Sequence, residues 1–375
     1  MTHMKKNRRI LFLLPHLHKG GMQRAVSNIS LALPDEFIQY VGFFGTDNPG
    51  FKFNAKMHNF NIDGSLKTGP VKKVINAFLR LQALRRFVYN NQIDIVVSFG
   101  EIANLYNLIT YHKAKKIISS RVSLNESIYG GIYGCLYKGL IKICYPFTDL
   151  LVAVSEDLGR QMSKLIKNNG KIKYIPNLYH VRDIRNLSQE DLPEKFSFLE
   201  NKRFILNVGT LTFQKGQDDL LKIFANISKI DKDLLLVILG QGEWKEYLQE
   251  QSVRLGISER VVFVDFEKNP YRYMAKATVF CFPSRYEGFP NALIEAMICG
   301  APVVAFDCPT GPREILGDSE FGILIENRSL EKASEAICAF LDDDLLKKKF
   351  QQLSLIRSNN YSAEHIIQKW VDLLS

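Results

Sequence analysis

Residues 279–297 read Val279-Phe-Cys-Phe-Pro-Ser284-Arg285-Tyr-Glu287-Gly288-Phe289-Pro290-Asn291-Ala292-Leu293-Ile-Glu295-Ala-Met297: a short apolar run, a polar turn, then a helical pattern. The run reads as a buried strand, and the polar turn behind it as a loop entering a helix. Pro290 suits the first helical turn, where its missing N–H has no partner to lose. The amides of Asn291, Ala292 and Leu293 then point out of the helix start as an anion site, where a diphosphate can sit. Helix-end charge interactions contribute about 0.3–1 kcal/mol when exposed and about 2 kcal/mol when partly buried, so side chains must supply the rest of any nucleotide affinity. Glu295, inside the helix, can accept both hydroxyls of a ribose, and Glu287, on the loop, can meet a sugar. The competing reading makes Glu287 a solvated loop residue and Glu295 a helix-surface charge. Gly288, Pro290, the strand before and the apolar helix after favour the site.

Outward from this segment, short apolar runs alternate with longer periodic stretches along the whole chain, the pattern of α/β architecture with parallel sheets. Strands are expected at 10–14, 38–44, 93–98, 116–119 and 150–154, with helices starting near Gly21, Val71, Ile102, Ile128 and Glu156. A polar segment at 181–202 reads as a linker, after which strands are expected at 204–208, 234–239, 261–264, 279–282, 302–305 and 322–325. This gives a first domain at 1–180 and a second at 203–360, each Rossmann-like and doubly wound. Residues 361–375 form a C-terminal amphipathic helix that can pack back on the first. Two such domains in tandem turn the carboxyl ends of their strands towards a shared cleft, one side for a nucleotide donor and one for an acceptor. That geometry alone would serve an epimerase or a phosphorylase equally well.

A chain of 375 residues fits two α/β domains, and 46% hydrophobic with 23% charged residues is globular composition. The basic lead Met4-Lys5-Lys6 imitates a secretory signal, but the apolar run behind it stops at Pro15 and His16. No segment qualifies as a membrane span. Cys135, Cys144, Cys281, Cys299, Cys308 and Cys338 lack paired spacing and read as free thiols. His16 and His18 are a metal half-site at most, with no nearby ligand to complete it. Charge is lopsided: residues 1–180 carry 25 Lys and Arg against 10 Asp and Glu, and the remainder 24 against 29. The basic half favours an anionic partner, and each basic residue near an anionic membrane contributes about 1 kcal/mol. In the helix from Val71, Lys72, Lys73 and Arg80 fall opposite Val71, Val74, Ile75 and Phe78. With Lys113, Lys115 and Lys116 they form a candidate membrane-docking patch; a solvated face is the alternative.

The segment EGFPNALIEAMICGAPVVAFD resembles the E-x7-E signature of glycosyltransferase family 4, retaining enzymes of the two-Rossmann GT-B fold. Other stretches match in the family's order. HKGGMQRAV, with Gly20 and Gly21, resembles the glycine-rich loop opening the first helix. Asn207-Val-Gly209-Thr210-Leu followed by Gln214-Lys215-Gly216 resembles the donor-phosphate motif. Leu239-Gly240-Gln-Gly242 and Thr310-Gly-Pro-Arg313-Glu314 fit a later strand end and helix start.

The resemblance implies transfer of a sugar from a nucleotide diphosphate to a hydroxyl acceptor with retention of configuration. Lys215 would neutralise the donor phosphates, an electrostatic contribution expected to dominate, and Glu287 would hold the sugar hydroxyls. The donor site would comprise Gly20, Gly21, Gly209, Thr210, Lys215, Gly242, Glu287, Gly288, Phe289, Pro290, Asn291, Ala292, Leu293 and Glu295. Arg24 and Arg121 are candidate acceptor or sugar contacts. The resemblance also implies that neither metal nor other cofactor is needed, as is general for such GT-B enzymes. Where the family places a phosphate-binding arginine this chain has Thr210, so Arg285 or Arg313 is the candidate replacement. The segment SSRVSLNES carries Arg121 near the place of the family's sugar-binding histidine. CPTGPREIL is similar to bacterial glycan-assembly transferases, which implies a UDP-linked donor (UDP-GlcNAc, UDP-GalNAc or a UDP-hexose), a glycan or undecaprenyl-linked acceptor, and a cytoplasmic location at the membrane's inner face. A sugar-nucleotide epimerase or hydrolase stays as the alternative. A non-catalytic basic protein binding membrane or nucleic acid accounts for the charge but not for the Glu287–Glu295 spacing, so no nucleic-acid partner is expected.

Overall fold

The computed structural model describes residues 7–17, 20–45, 50–62, 69–121, 131–166 and 169–375. The expected basic lead at 4–6, His18 and most of SSRVSLNES lie outside these residues. The chain divides into two units, the first reaching Leu178 and regaining Ala363–Ser375, the second being Tyr179–Ser362.

The first unit is built on β1 (Arg9–Leu14), β2 (Ile38–Phe43), β3 (Lys56–Asn59), β4 (Ile95–Phe99), β5 (Lys115–Ser120), β6 (Leu150–Ala153) and β7 (Ile172–Tyr174). They form one parallel sheet in the order β3-β2-β1-β4-β5-β6-β7. β1 is central, with Ile10 opposite Gln39 and Ile95, and its apolar residues are covered on both faces. That is why it reads as a continuous apolar run and not as an alternation. Helices α1 (Gly21–Ala32), α2 (Pro70–Asn90), α3 (Glu101–Ile109), α4 (Gly131–Cys144) and α5 (Glu156–Ile166) connect the strands. Leu11 and Leu13 face Leu84 and Phe87 of α2. Ile10, Phe12 and Leu14 face Val26 and Ile29 of α1 together with Ile366 and Trp370 of the C-terminal helix Ala363–Leu374.

The second unit has a six-stranded parallel sheet: β8 (Phe204–Val208), β9 (Leu235–Leu239), β10 (Val261–Val264), β11 (Val279–Phe282), β12 (Val303–Asp307) and β13 (Ile323–Glu326). Its order is β10-β9-β8-β11-β12-β13. Around it lie α6 (Val181–Ser188), α7 (Gln217–Ile227), α8 (Lys245–Arg254), α9 (Tyr271–Lys276), α10 (Asn291–Ile298), α11 (Pro312–Leu316), α12 (Leu330–Asp342) and α13 (Asp344–Asn359).

Two differences from the sequence reading have local causes. The segment 181–202 is not a linker: Val181 and Ile184 are buried one turn apart, and α6 packs on α9 and α10 within the second unit. Strands β3 and β7 were not expected, because each is short, lies at a sheet edge and lacks a buried apolar run. Cys144, Cys281, Cys299, Cys308 and Cys338 are in no disulfide, and burial pushes the Cys281 thiol up to about 12. No described helix is long and apolar enough to cross a membrane.

Candidate functional site

In the second sheet the chain winds one way from β8 through β9 to β10 and the other way from β11 through β12 to β13. Loops leaving the carboxyl ends of β8 and β11 therefore diverge, and a crevice opens at that switch point. These are the loops that carry Gly209 to Gly216 and Pro283 to Pro290.

A single turn of 3-10 helix, Phe213–Lys215, aims Lys215 into the crevice. Its ammonium donates to Glu287 Oε1 at 2.5 Å and lies 5.6 Å from the centre of the Phe282 ring. Its methylenes pass 3.6–3.8 Å from where a Cβ on Gly209 would stand. Lys215 keeps 21% of its side chain exposed and Glu287 only 6%, so the pair is screened from one side and reachable from the other. An arriving diphosphate would compete for the ammonium and release the carboxylate towards neutral hydroxyls.

Backbone meets backbone around this pair, and glycine permits it. A Cβ on Gly240 (φ +153) would stand 1.9 Å from Gly209 O, and one on Gly216 (φ +66) 2.1 Å from Pro283 O. Neither obstacle is a side chain that can swing aside. Gly240→Ala is accordingly expected to cost about 2–4 kcal/mol by overpacking and backbone strain, measured as a lowered urea midpoint. Gly242 has the same kind of role: its Cβ would stand 2.2 Å from Leu211 O.

The loop holding Glu287 is fixed from several directions. Gln214 Nε2 donates to Tyr286 O at 2.9 Å, and Arg285 N–H donates to Gln214 O at 2.8 Å. The Thr310 hydroxyl donates to Glu287 O from a left-handed backbone (φ +63). Asn291 Oδ1 accepts from the buried Tyr179 hydroxyl at 2.6 Å. Glu287 and Glu295 are 6% and 3% exposed, which removes the reading of two solvated surface carboxylates. Phe289 is buried against the Tyr361 ring, 5.9 Å between centres.

Two expectations change. Pro290 precedes α10 as its N-cap residue instead of lying in the first turn. Asn291 N–H then donates to Phe289 O and Leu293 N–H to Pro290 O, so two of the three amides expected to form an open anion site have acceptors within the chain. Arg285 and Arg313, the candidates for the phosphate arginine absent at the exposed Thr210, are both engaged by carboxylates of the second unit. Arg285 donates to both Asp218 oxygens at 3.0 and 2.9 Å, to Asp219 Oδ2 at 2.7 Å and to Phe213 O at 2.7 Å. Arg313 is held by Asp307 and Asp318. Sequence reasoning missed Asp218, Asp219 and Tyr179 and placed Thr310 only at a helix start, with no part in holding Glu287; the adjacent acidic pair behind Lys215-Gly216 alone hinted at a cation partner.

The first unit has its own reversal, between β1 and β4, and the remaining candidates gather there. Gly20 caps α1 in an extended conformation (φ −154), and Gly21 begins the helix. Gln23 donates to His16 O at 3.1 Å and steadies that turn. The Arg24 guanidinium lies 5.3 Å from the Phe51 ring centre. Arg121, directly after β5, donates to Ser119 Oγ at 3.1 Å, pairs with Asn177 and stacks on Phe99 at 4.9 Å. Gly20, Gly21, Arg24 and Arg121 thus belong to the first unit and the other candidates to the second. Among the described residues no three His, Cys, Asp or Glu side chains group as a metal ion would require.

Comparison with known proteins agrees with this architecture. A family model described as glycosyl transferases group 1 matches residues 188–354. An uncharacterized glycosyltransferase of Haemophilus influenzae is 34% identical over 368 residues, covering 95% of this chain and 96% of the relative. The N-acetylgalactosamine-N,N'-diacetylbacillosaminyl-diphospho-undecaprenol 4-alpha-N-acetylgalactosaminyltransferase of Campylobacter jejuni is 34% identical over 230 residues, 61% of this chain and 60% of that one. The crystal structure of Anabaena HepE in complex with UDP superposes with a TM-score of 0.78 at 19% identity, covering 98% of this chain and 99% of that chain.

Proposed function

The chain belongs to the group 1 glycosyltransferases and has their GT-B fold, and from that premise we propose that it moves an N-acetylhexosamine from a UDP-linked donor to a hydroxyl of a lipid-linked or glycan acceptor, with retention. The observation that carries this is the Lys215–Glu287 pair at the switch-point crevice, with Glu295 buried in the helix behind it. UDP in the HepE structure and the N-acetylgalactosamine and diphospho-undecaprenol in the Campylobacter protein's name support the choice of substrates.

In this reading Lys215 turns from Glu287 to the donor diphosphate and stabilises the charge that grows there as the sugar–oxygen bond breaks. Glu287, released from its ion pair, accepts from the sugar hydroxyls and holds the ring. Glu295 accepts from the ribose hydroxyls. The anomeric carbon leaves the phosphate oxygen and bonds to the acceptor oxygen on the same face, and the acceptor's proton passes to the departing phosphate. No protein nucleophile takes part.

Calorimetric titration with UDP, GDP and ADP tests the donor side. UDP is expected to bind more tightly than GDP or ADP, and Glu295→Gln to weaken it about tenfold or more through loss of charge-assisted hydrogen bonds. Equal affinity for all three nucleotides, or an unchanged Glu295→Gln, would overturn the assignment. Consumption of donor with no acceptor present would point instead to an epimerase or hydrolase.

A further inference from the structure

The amphipathicity of α2 is reversed relative to the body it packs on. Successive helical residues turn by about 100°, so Val71, Val74, Ile75 and Phe78 form one stripe. An apolar stripe on a surface helix ordinarily faces the core. Here these four residues are 52–73% exposed. Arg80, which falls on the opposite side, is turned inward: it donates to Ile62 O at 3.0 Å and lies 5.1 Å from the Phe44 ring centre and 5.6 Å from that of Tyr106. Only the second half of the helix docks conventionally, through Leu84, Phe87 and Val88.

The charge on this helix is of one sign. α2 contains Lys72, Lys73, Arg80, Arg85 and Arg86 and no Asp or Glu. Lys72 stands next to the apolar stripe and Lys73 nearer the face opposite it, and both are exposed. Of the other basic residues that the sequence grouped with them, Lys113 is exposed, whereas Lys116 Nζ donates to Leu108 O and Thr110 O, and Lys115 Nζ to Leu373 O. The apolar stripe and the exposed lysines therefore coincide at the start of α2.

Position gives this start a use. α2 leads from the carboxyl end of β3 to the amino end of β4, so its first turns lie towards the carboxyl edge of the sheet, the edge that carries Gly20 and Arg121. We propose that the first half of α2 docks the protein on an anionic lipid bilayer, with Val71, Val74, Ile75 and Phe78 entering the headgroup boundary, Lys72 at their border contacting lipid phosphates and Lys73 adding attraction at longer range. An apolar stripe bordered by Lys72, on a helix whose charges are all basic, matches a bilayer of negative surface charge. A protein groove would bring its own geometry and pairing groups. The proposal stands apart from the donor-side reading, because vesicle binding without nucleotide binding would keep one and remove the other.

The test is co-sedimentation of the full chain with vesicles of phosphatidylcholine alone and of phosphatidylcholine with phosphatidylglycerol. Wild type is expected to bind the anionic vesicles about tenfold or more tightly than the neutral ones. Val74→Ser with Phe78→Ser is expected to reduce that binding about tenfold, and Lys72→Gln with Lys73→Gln to erase the preference for anionic lipid. All four positions are exposed, so the UDP titration of both variants should match wild type. Absence of wild-type binding to anionic vesicles, or undiminished binding by the serine variant, overturns the proposal. So does a wild-type dimer that the serine variant converts to monomer, which would assign the stripe to a second copy of the chain.

Discussion

Lys215→Met is expected to lower kcat/KM for sugar transfer by about 10²–10³-fold, the range seen when a preorganised group that stabilises developing charge is removed, or about 2.7–4 kcal/mol. Methionine keeps most of the stem that passes over Gly209 and lies near Phe282, so the change acts mainly on charge. Two effects result, and they separate. The buried Glu287 carboxylate loses its partner, which lowers stability. The departing diphosphate loses its cation, which lowers rate. Combining Lys215→Met with Glu287→Gln should recover much of the lost melting temperature and none of the lost rate. Steady-state kinetics beside thermal melts of the two variants checks both halves. Wild-type kcat/KM in Lys215→Met would remove the lysine from the mechanism.

Arg285→Met is expected to have the largest effect on stability of any substitution near the site, about 3–5 kcal/mol, as for breaking a buried ion pair from one side. Asp218 and Asp219 are 12% and 1% exposed at the start of α7, where the helix N-terminus favours their negative charge but cannot replace a guanidinium. Lys222 at 3.2 Å and Arg328 at 3.5 Å remain near Asp219, whereas Asp218 keeps no comparable ion pair among the described residues. Urea unfolding measures the loss. The triple variant Asp218→Asn, Asp219→Asn, Arg285→Met should recover part of it, since no buried carboxylate is then left alone. Because the Arg285 guanidinium also donates to Phe213 O, the single variant loosens the turn of Lys215 against the loop of Glu287, and turnover should fall even at temperatures where the chain stays folded.

The contrast between Lys215 and Arg285 shows what the sequence can convey. Arg285 carried the right charge in the right neighbourhood, but its partners lie elsewhere in the chain: Asp218 and Asp219 are 67 and 66 residues away. No local pattern reports such a pairing. The central strands were legible because burial on both faces enforces unbroken apolar runs, as in Ile10 to Leu14. β3, reading Lys-Met-His-Asn at a sheet edge, is under no such pressure. Val71, Val74, Ile75 and Phe78 mislead in the opposite direction, since their spacing announces a core-facing stripe and the structure turns it outward. Periodicity identifies a helix face, and only packing tells which environment that face meets. Residues 181–202 looked like a linker because their composition is polar, although two buried positions in α6 suffice to dock it.

The return of residues 363–375 to the first unit governs the order in which the protein is finished. Trp370 is 1% exposed and stands 6.2 Å from Phe99, and Ile366 and Leu374 complete the apolar layer over Phe12 and Leu14. On a ribosome these residues emerge only after the whole of 179–362 has been made. The unit begun first is therefore closed last, and through most of synthesis it presents an open apolar trough while the later unit already has every strand it needs. Nascent chains stalled before Trp370 should be the clients that chaperones hold, and a fragment ending at Leu178 should need the C-terminal helix supplied in trans to become soluble.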